Sequence, residues 1–441
     1  MIRIRAAAPA LLATTVAALA ASPAFAQAPA LLAHQAPLAL DSGGTAWILT
    51  STALVLMMTL PGLALFYGGM VRKKNIISTL AHSTAALAIV TVLWFLVGYS
   101  LSFGTGPAAI NGFVGGLEAA FLNGVTPETA HSLLPGLPEL LFVSFQLTFA
   151  IITPALIAGA FAERMKFSAS LLFFTLWHLI VYAPICHQVW GGGYLGGLGV
   201  LDFAGGAVVH VNAGVAGLVC AIVLGPRHGL GRDNMAPHNL AYTAIGTGLL
   251  FVGWLGFNAG SAGAADGLAA TAAFNTLLAP AAAALGWMAV EWLERKRPTL
   301  LGLLSGIVAG LVAITPAAGF VDPKGAFIIG AIAGPVCYIS SVWIKKLLRY
   351  DDSLDAFGIH GAGGLLGALL TGVFASTAIN SLSEGANIPT QAIGLAWTIA
   401  YSAVGTLIIL IVCKFTVGLR VSAAAEEEGL DTTLHGESLD H

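Results

Sequence analysis

The sequence predicts an all-α polytopic membrane protein with eleven transmembrane helices, and three observations lead to this fold class. Of the 441 residues, 57% are hydrophobic and only 9% are charged, whereas soluble domains carry about 25% charged residues. The mean hydropathy is +0.87. After residue 40, eleven separate apolar runs each approach or exceed the roughly 20 residues that a helix needs to cross a bilayer.

The first 26 residues have the features of a signal peptide. Arg3 and Arg5 precede a short, alanine-rich apolar stretch, and Ala24 and Ala26 supply the small residues that a signal peptidase recognises. We therefore expect cleavage before Gln27 and a mature N-terminus outside the cell. The alternative is an uncleaved first span.

The eleven apolar runs form two sets of five and one final run. The first set covers approximately 45–69, 76–103, 138–161, 168–186 and 203–224. The second set covers 239–262, 270–293, 299–320, 326–343 and 356–374, and the final run is 391–418. The predicted membrane domain is thus 27–418, with repeat halves of about 45–224 and 239–374, and a tail of 419–441 follows it.

The distribution of basic residues predicts the orientation. With the N-terminus outside, an odd number of spans leaves the C-terminus in the cytoplasm. Of the 18 lysines and arginines, all but three then lie in or beside cytoplasmic loops, as the positive-inside rule requires. Two of the three belong to the signal peptide, and the third is Lys324.

Two histidines lie inside glycine-rich spans and share a sequence pattern. His210 in the fifth span and His360 in the tenth both begin the pattern Hxx[AG]GxxG, and an aspartate precedes each, Asp202 in one copy and Asp355 in the other. Because five is odd, the second set of five spans must run opposite to the first. This predicts an inverted 5+5 repeat plus one extra helix, with the functional site near the midplane between the halves.

Ionisable residues inside a membrane are costly and tend to mark an ion or substrate path. We therefore favour a functional pair, in which His210 and His360 share a hydrogen bond, over two separate structural histidines. A zinc site is the rival chemistry, but the two spans contain neither HxxxH nor ExxH and little carboxylate. His82 and His178 lack a second copy, and we interpret both as structural.

Composition argues against several other classes of protein. The net charge of −3 offers no basic face for nucleic acid. Four cysteines lie far apart in or beside apolar runs without metal-ligand spacing, so we interpret them as small buried hydrophobes. Missing carboxylates and nucleophile motifs disfavour a membrane enzyme. We predict no metal and no cofactor.

Six segments, in order, resemble the ammonium transporter family, which comprises the Amt, MEP and Rh proteins. They are 60–75, 145–169, 202–218, 253–261, 355–367 and 426–438. The resemblance covers nearly the whole mature chain. It implies a homotrimer of eleven-helix subunits in which each subunit contains its own narrow, hydrophobic pore.

The resemblance also implies roles for individual residues. The twin pore histidines of the family fall on His210 and His360. Its outer site for recruiting ammonium falls on Phe149, Trp190 and Ser261. An aromatic face attracts a cation by roughly 0.5–2 kcal/mol, depending on desolvation. The alternative is that these aromatics belong only to the interfacial belt or the core.

Three further residues complete the implied site. The stacked phenylalanine gate of the family falls on Phe257 together with Phe149, and its acidic residue falls on Asp202, which is equally suited to cap the fifth span. Trp254 matches a pore-lining tryptophan. The resemblance therefore implies that ammonium, or its analogue methylammonium, is recruited outside, deprotonated and conducted as ammonia past the histidines. Potassium, which has no proton to lose, is excluded.

The tail carries three consecutive acidic residues, Glu426, Glu427 and Glu428. The resemblance implies a cytoplasmic platform for a trimeric PII signal protein, while a solvated acidic tail is the plain alternative. We expect the protein in the bacterial inner membrane, surrounded by lipid. The alternative function is an ammonium sensor that signals through this tail.

Overall fold

Residues 36–439 are described in the computed structural model of the chain, so the predicted signal peptide lies outside the described residues. Within this range the fold consists of eleven apolar helices, which confirms the predicted fold class. They are α1 Ser42–Met70, α2 Lys73–Phe103, α3 Glu139–Phe161, α4 Phe167–Gly197, α5 Gly206–Leu224, α6 Leu240–Gly260, α7 Gly267–Arg295, α8 Leu300–Ile314, α9 Pro323–Leu348, α10 Phe357–Phe374 and α11 Ile388–Thr416.

Two helix ends differ from the sequence prediction. α8 ends at Ile314 rather than near residue 320, because Pro316 cannot donate the next helical hydrogen bond. α4 passes residue 186 and turns at 190–193 before a last short piece, Tyr194–Gly197. The other bounds lie within a few residues of the prediction.

α5 and α10 begin in the same unusual way. Each starts with a turn of π-helix, Gly206–Val211 in α5 and Phe357–Gly361 in α10, before regular α-helix follows. π turns recur at functional sites because they redirect side chains. Each of these two turns contains one of the paired histidines.

The few elements outside the helical bundle are short. Strand β1 (Ala36–Pro37) pairs antiparallel with β2 (Thr129–Ala130). A short helix, α12 (Ala423–Glu428), and a helical turn, Asp431–His435, follow α11.

The loops that contain most of the basic residues meet at one end of the bundle, which we call the basic face. There Glu163, whose side chain is fully buried, accepts from Arg72 at 2.9 Å and from Arg227 at 3.3 Å. Arg227 also contacts Asp351 at 2.9 Å. Four loops that are remote in sequence are thereby joined by one buried ion network.

The C-terminal tail packs on the basic face. Glu426 is only 2% exposed and accepts both Nε of Arg420, at 2.6 Å, and the backbone N–H of His228, at 2.8 Å. Asp431 accepts the backbone N–H of Ser78 at 2.8 Å. The alternative of a solvated tail is therefore wrong for Glu426, whereas Glu427 and Glu428 are exposed.

All four cysteines are buried and free, as the sequence predicted; they are Cys186, Cys220, Cys337 and Cys413.

Candidate functional site

The two repeated histidines lie against each other in the middle of the bundle. Nδ1 of His210 is 3.3 Å from Nδ1 of His360, and the ring centroids are 5.3 Å apart with an interplanar angle of 17°. Both side chains are buried. Since only one hydrogen can lie between two Nδ1 atoms, the rings must take complementary roles, one donating and the other accepting.

Glycines of the repeated pattern let the two helices approach this closely. A Cβ on Gly214 would collide with the backbone of Gly361, and a Cβ on Gly364 would lie 3.0 Å from the carbonyl oxygen of Gly206. Small residues at such crossings permit close packing in lipid, where tight contact replaces the hydrophobic effect. The pattern Hxx[AG]GxxG thus specifies both the histidines and the space between their helices.

Aromatic rings from α6 cover one side of the histidine pair. Trp254 stacks on His210 with centroids 5.3 Å apart and an interplanar angle of 21°. The indole Nε1 of Trp254 donates to Oγ1 of Thr315 at 2.8 Å, which fixes the orientation of the ring. Phe257 lies one turn further along α6, 6.0 Å from His210.

Phe149 continues the aromatic series away from the histidines. It lies 4.2 Å from Phe257, centroid to centroid, and meets Trp190 edge to face at 5.9 Å. Ser261 lies one turn after Phe257, and its hydroxyl donates to the Phe257 carbonyl at 2.8 Å. Trp190 and Ser261 are half-buried, whereas Phe149 and Phe257 are buried. The rings form a path from a partly open end to a closed centre.

Asp202 supports this path through the backbone. Its two carboxylate oxygens accept N–H groups of four residues in the first turn of α5, Gly205 to Val208, at distances of 2.5–3.0 Å. Its own carbonyl accepts Nε1 of Trp190 at 2.8 Å. Asp202 therefore positions both the helix of His210 and the indole of Trp190.

The structural counterpart of Asp202 is Asp352, which the sequence comparison missed. Asp352 is 1% exposed, and its carboxylate accepts the N–H groups of Ala356 and Phe357 at 3.0 and 2.7 Å, in the first turn of α10. Asp355, which the sequence comparison had paired with Asp202, instead contacts Nζ of Lys345. The spacing was the missed signal, because Asp202 precedes His210 by the same interval as Asp352 precedes His360.

Burial and charged neighbours make the pKa of Asp352 differ from that of an ordinary surface carboxylate. Burial, and then the neighbouring carboxylate of Asp355, raise the pKa of Asp352 to about 6, while Lys345 and the two N–H groups oppose the shift. Asp202 and Asp352 lie at opposite faces of the bundle, since α5 begins away from the basic face and α10 begins at it. The two capped helices therefore enter the membrane antiparallel, as an inverted repeat requires.

A narrow cavity runs beside the histidines. Its volume is about 10 Å³, which is enough for a single water-sized molecule. Apart from the imidazoles and the indole of Trp254, its lining is apolar. The lining residues are Met58, Leu63, Phe66, Ile152, Leu156, His210, Leu250, Trp254, Phe257, Val308 and His360.

One polar atom in this region has no hydrogen-bond partner among the described residues. Nε2 of His210 is buried and unpaired, and a buried polar atom without a partner costs roughly 1–3 kcal/mol. A guest molecule that hydrogen-bonds in the cavity would remove this penalty. The site therefore suits a small polar guest that is uncharged, since apart from the two imidazoles and the indole of Trp254 an ion would find only apolar walls.

His82 and His178 lie apart from the paired rings. His178 packs between Trp94 and Tyr182, with centroids 5.9 and 5.6 Å away, and His82 packs against Phe161 and Phe167. Neither lines the cavity.

Comparison with known proteins places the whole helical bundle in one group. The model described as Ammonium Transporter Family matches residues 46–439. The ammonium transporter of Bacillus subtilis is 49% identical over 407 residues, covering 90% of this chain and 98% of the relative. The ammonium transporter of Aquifex aeolicus is 50% identical over the same length, covering 90% of this chain and 93% of that relative.

Solved structures agree with the sequence relatives. The crystal structure of Saccharomyces cerevisiae Mep2 superimposes with a TM-score of 0.80 at 37% sequence identity, covering 87% of this chain and 91% of that chain.

Proposed function

The chain belongs to the ammonium transporter family, a family of multi-pass membrane transporters rather than enzymes, and on this premise we propose that it conducts ammonia past His210 and His360. The observation that carries the proposal is the buried, unpaired Nε2 of His210 in a cavity with room for one small molecule. Ammonia both donates and accepts hydrogen bonds, so it matches either tautomer of the pair.

Recruitment takes place at the half-buried end of the aromatic path. There Phe149 and Trp190 present ring surfaces that attract a cation, and the oxygen of Ser261 accepts one N–H from it. Asp202 adds negative charge nearby but does not bind the guest directly, because its carboxylate oxygens already accept four backbone N–H groups.

Deprotonation follows from the cost of moving an ion further. A charge at the bilayer centre costs at least about 3 kcal/mol even on the mildest insertion scale. Phe149 and Phe257 close the path at this point with rings 4.2 Å apart. An ammonium ion that loses its proton passes as a neutral molecule, whereas potassium retains its charge.

The test is transport by the purified protein in liposomes. The wild-type protein should give currents or fluxes with ammonium and methylammonium and none with potassium. The double variant His210→Ala with His360→Ala should lose this discrimination, because its cavity widens and admits hydrated ions. His228→Ala, which removes an imidazole at the basic face, is the matched control and should behave like the wild-type protein.

Unchanged selectivity in the double variant would overturn the conduction route through the histidines. A protein that binds methylammonium without flux would instead favour the sensor alternative. The relatives at about half identity are named as transporters, and nothing in the site favours a sensor.

For orientation, we propose that the basic face is cytoplasmic in the bacterial inner membrane and that the N-terminus, after cleavage, lies outside. The buried basic network and the docked tail at this face support the assignment through the positive-inside rule. Cysteine labelling with an impermeant maleimide at Ser438→Cys and Glu128→Cys should label opposite sides of the membrane.

We also propose a homotrimer and a PII signal protein as partners. Glu427 and Glu428 are exposed and accessible to a partner, although Oε1 of Glu427 lies 3.1 Å from Nδ1 of His228, while Glu426 is occupied within the chain. Glu427→Gln with Glu428→Gln should weaken capture of a PII protein and leave the trimeric mass unchanged. Retention of full capture would show that the partner does not use these carboxylates.

A further inference from the structure

A polar cavity with a volume of about 350 Å³ opens at the basic face. Its walls come from three segments that are remote in sequence: the turn between α1 and α2, the loop between α5 and α6, and the C-terminal tail. The volume lies within the range of small-molecule sites, which is roughly 300–1,000 Å³. Every lining side chain is charged or titratable: Arg72, Lys74, His228, Arg232, Asp233, Glu426 and Glu427. Such walls suit a small, soluble ion rather than an acyl chain.

The carboxylates of this cavity are not arranged to bind a cation. Glu426 accepts from Nε and Nη2 of Arg420, at 2.6 and 3.0 Å, and Arg420 lies outside the lining. Oε1 of Glu427 lies 3.1 Å from Nδ1 of His228, and Asp233 is exposed to solvent. Within the described residues, no group of three or more histidines, cysteines and carboxylates could hold a metal ion.

Arg72 presents a donor that the chain itself leaves unused. Its backbone N–H and its Nε donate to the two carboxylate oxygens of Glu163, at 2.6 and 2.9 Å, and these bonds hold the guanidinium in place. Nη2 is buried and has no hydrogen-bond partner among the described residues. Because a guanidinium is a planar fork that matches the oxygens of a phosphate, Nη2 is a positioned donor for such an anion.

Two further cations of the cavity keep their positive charge. Nζ of Lys74 donates to the backbone carbonyl of Glu427, which is a neutral acceptor, and a lysine ammonium has three N–H donors. Arg232 is exposed and has no ion pair within residues 36–439. Together with Arg72, these side chains place three positive groups from two loops around one space.

From this arrangement we propose that the cavity binds a soluble phosphate anion, either inorganic phosphate or a small phosphomonoester. Arg72, Lys74 and Arg232 donate to its oxygens. Glu427, whose side chain is 62% exposed, moves into solvent and leaves the imidazole of His228 facing the anion. The volume leaves room for an organic group beside the phosphate. The proposal concerns the basic face alone and is independent of what the pore conducts.

The test is a titration of the intact, purified oligomer in detergent at constant ionic strength. Inorganic phosphate and glycerol 3-phosphate are the probes, each replacing sodium chloride, and the Tm is measured at every concentration. A ligand that binds only the folded protein stabilises it in proportion to ln(1 + [L]/Kd). The wild-type protein should show a saturable site, and the probe with the lower Kd identifies whether an organic group contributes to binding.

Variants of the lining should change this affinity in opposite directions. Arg232→Gln should weaken phosphate binding by about tenfold, as expected for the loss of one hydrogen bond to a charged group. Lys74→Gln, which retains an N–H for the carbonyl of Glu427, should weaken it similarly. Glu427→Gln should strengthen binding by up to about fivefold, because it removes a carboxylate that competes for His228 in an exposed ion pair.

Matched controls make the same changes of charge outside the cavity. Lys414→Gln removes an exposed cation from the end of α11, and Glu428→Gln removes the exposed carboxylate next to Glu427. Both variants should keep the wild-type affinity for phosphate. All variants should have about the wild-type Tm in chloride alone, which separates loss of the anion from loss of the fold.

Each of three outcomes would overturn the proposal. No rise in Tm when phosphate replaces chloride would mean that the cavity does not bind phosphate. An unchanged Kd in both Arg232→Gln and Lys74→Gln would mean that the anion binds elsewhere. Equal changes in the lining variants and in their controls would mean that diffuse surface charge, and not the cavity, attracts the anion.

Discussion

Asp202 and Asp352 are equivalent residues at opposite faces of the bundle, each capping the first turn of a helix whose buried histidine follows at the same interval. Both carboxylates are turned into the backbone rather than toward the cavity. This relationship makes the position of each imidazole depend on an aspartate more than a helical turn away.

The cap at Asp352 gives the first prediction. Asp352→Ala should destabilise the protein by about 0.5–2 kcal/mol, as loss of a helix cap does, and should slow methylammonium uptake because the His360 helix loses its anchor. Asp352→Asn retains an oxygen acceptor and should recover much of both. Asp355→Asn, which removes a nearby carboxylate outside the cap and tolerates the left-handed backbone there (φ 59°), is the control. Uptake that is unaffected in Asp352→Ala would contradict the positioning role.

The second prediction concerns pH and Asp352. Its pKa is about 6 in the folded protein, against an ordinary value of 3.8. Folding favours the protonated form of Asp352. The resulting stabilisation of the folded protein is fully present below about pH 4 and is lost as the pH rises through about 6. The Tm of the wild-type protein minus the Tm of Asp352→Asn should therefore decrease between about pH 4 and 6 and level off at higher pH. A difference that stays constant from pH 4 to 7 would rule out the raised pKa.

The third prediction concerns the buried ion network. Glu163→Gln leaves Arg72 and Arg227 without their shared carboxylate in a buried position, where breaking a pair costs about 3–5 kcal/mol. We expect a markedly lower Tm in detergent. Glu128→Gln, at an exposed site, should be nearly neutral. Similar Tm values for the two variants would mean that the network contributes little.

The fourth prediction concerns the crossing of α5 and α10. Gly214→Ala should cost about 1–3 kcal/mol through overpacking, and it should reduce transport because the paired rings separate. Gly248→Ala adds the same methyl group to α6, where nothing lies within 4 Å, and should be tolerated. The comparison is made by Tm and by methylammonium uptake, and equal behaviour of the two variants would refute the packing argument.

Much of the fold followed from the sequence because a bilayer imposes a length and a hydropathy on each helix independently of its neighbours. The pairing of His210 with His360 could be predicted from the sequence for a different reason. A repeat places equivalent residues at equivalent positions, so two copies of one pattern indicate one shared site. The roles of Phe149, Trp190 and Ser261 came only from resemblance to a family, and they remain predictions.

Other features depend on contacts that sequence distance conceals. Glu163 joins loops that follow three different helices, and no local pattern reveals such a partner. The role of Asp352 was not predicted, because the residue types before each histidine were matched rather than the number of residues between aspartate and histidine. A solvated acidic tail was the plain alternative for Glu426, although its partner Arg420 lies only six positions earlier in the sequence.

The small volume beside the paired histidines has a kinetic consequence. If the cavity is the conduction path that we propose, a passage that holds one guest at a time cannot carry inward and outward fluxes independently, because each occupant blocks the next. Isotope exchange should then saturate with concentration, and labelled guest on one side should leave more slowly when unlabelled guest is supplied on the other.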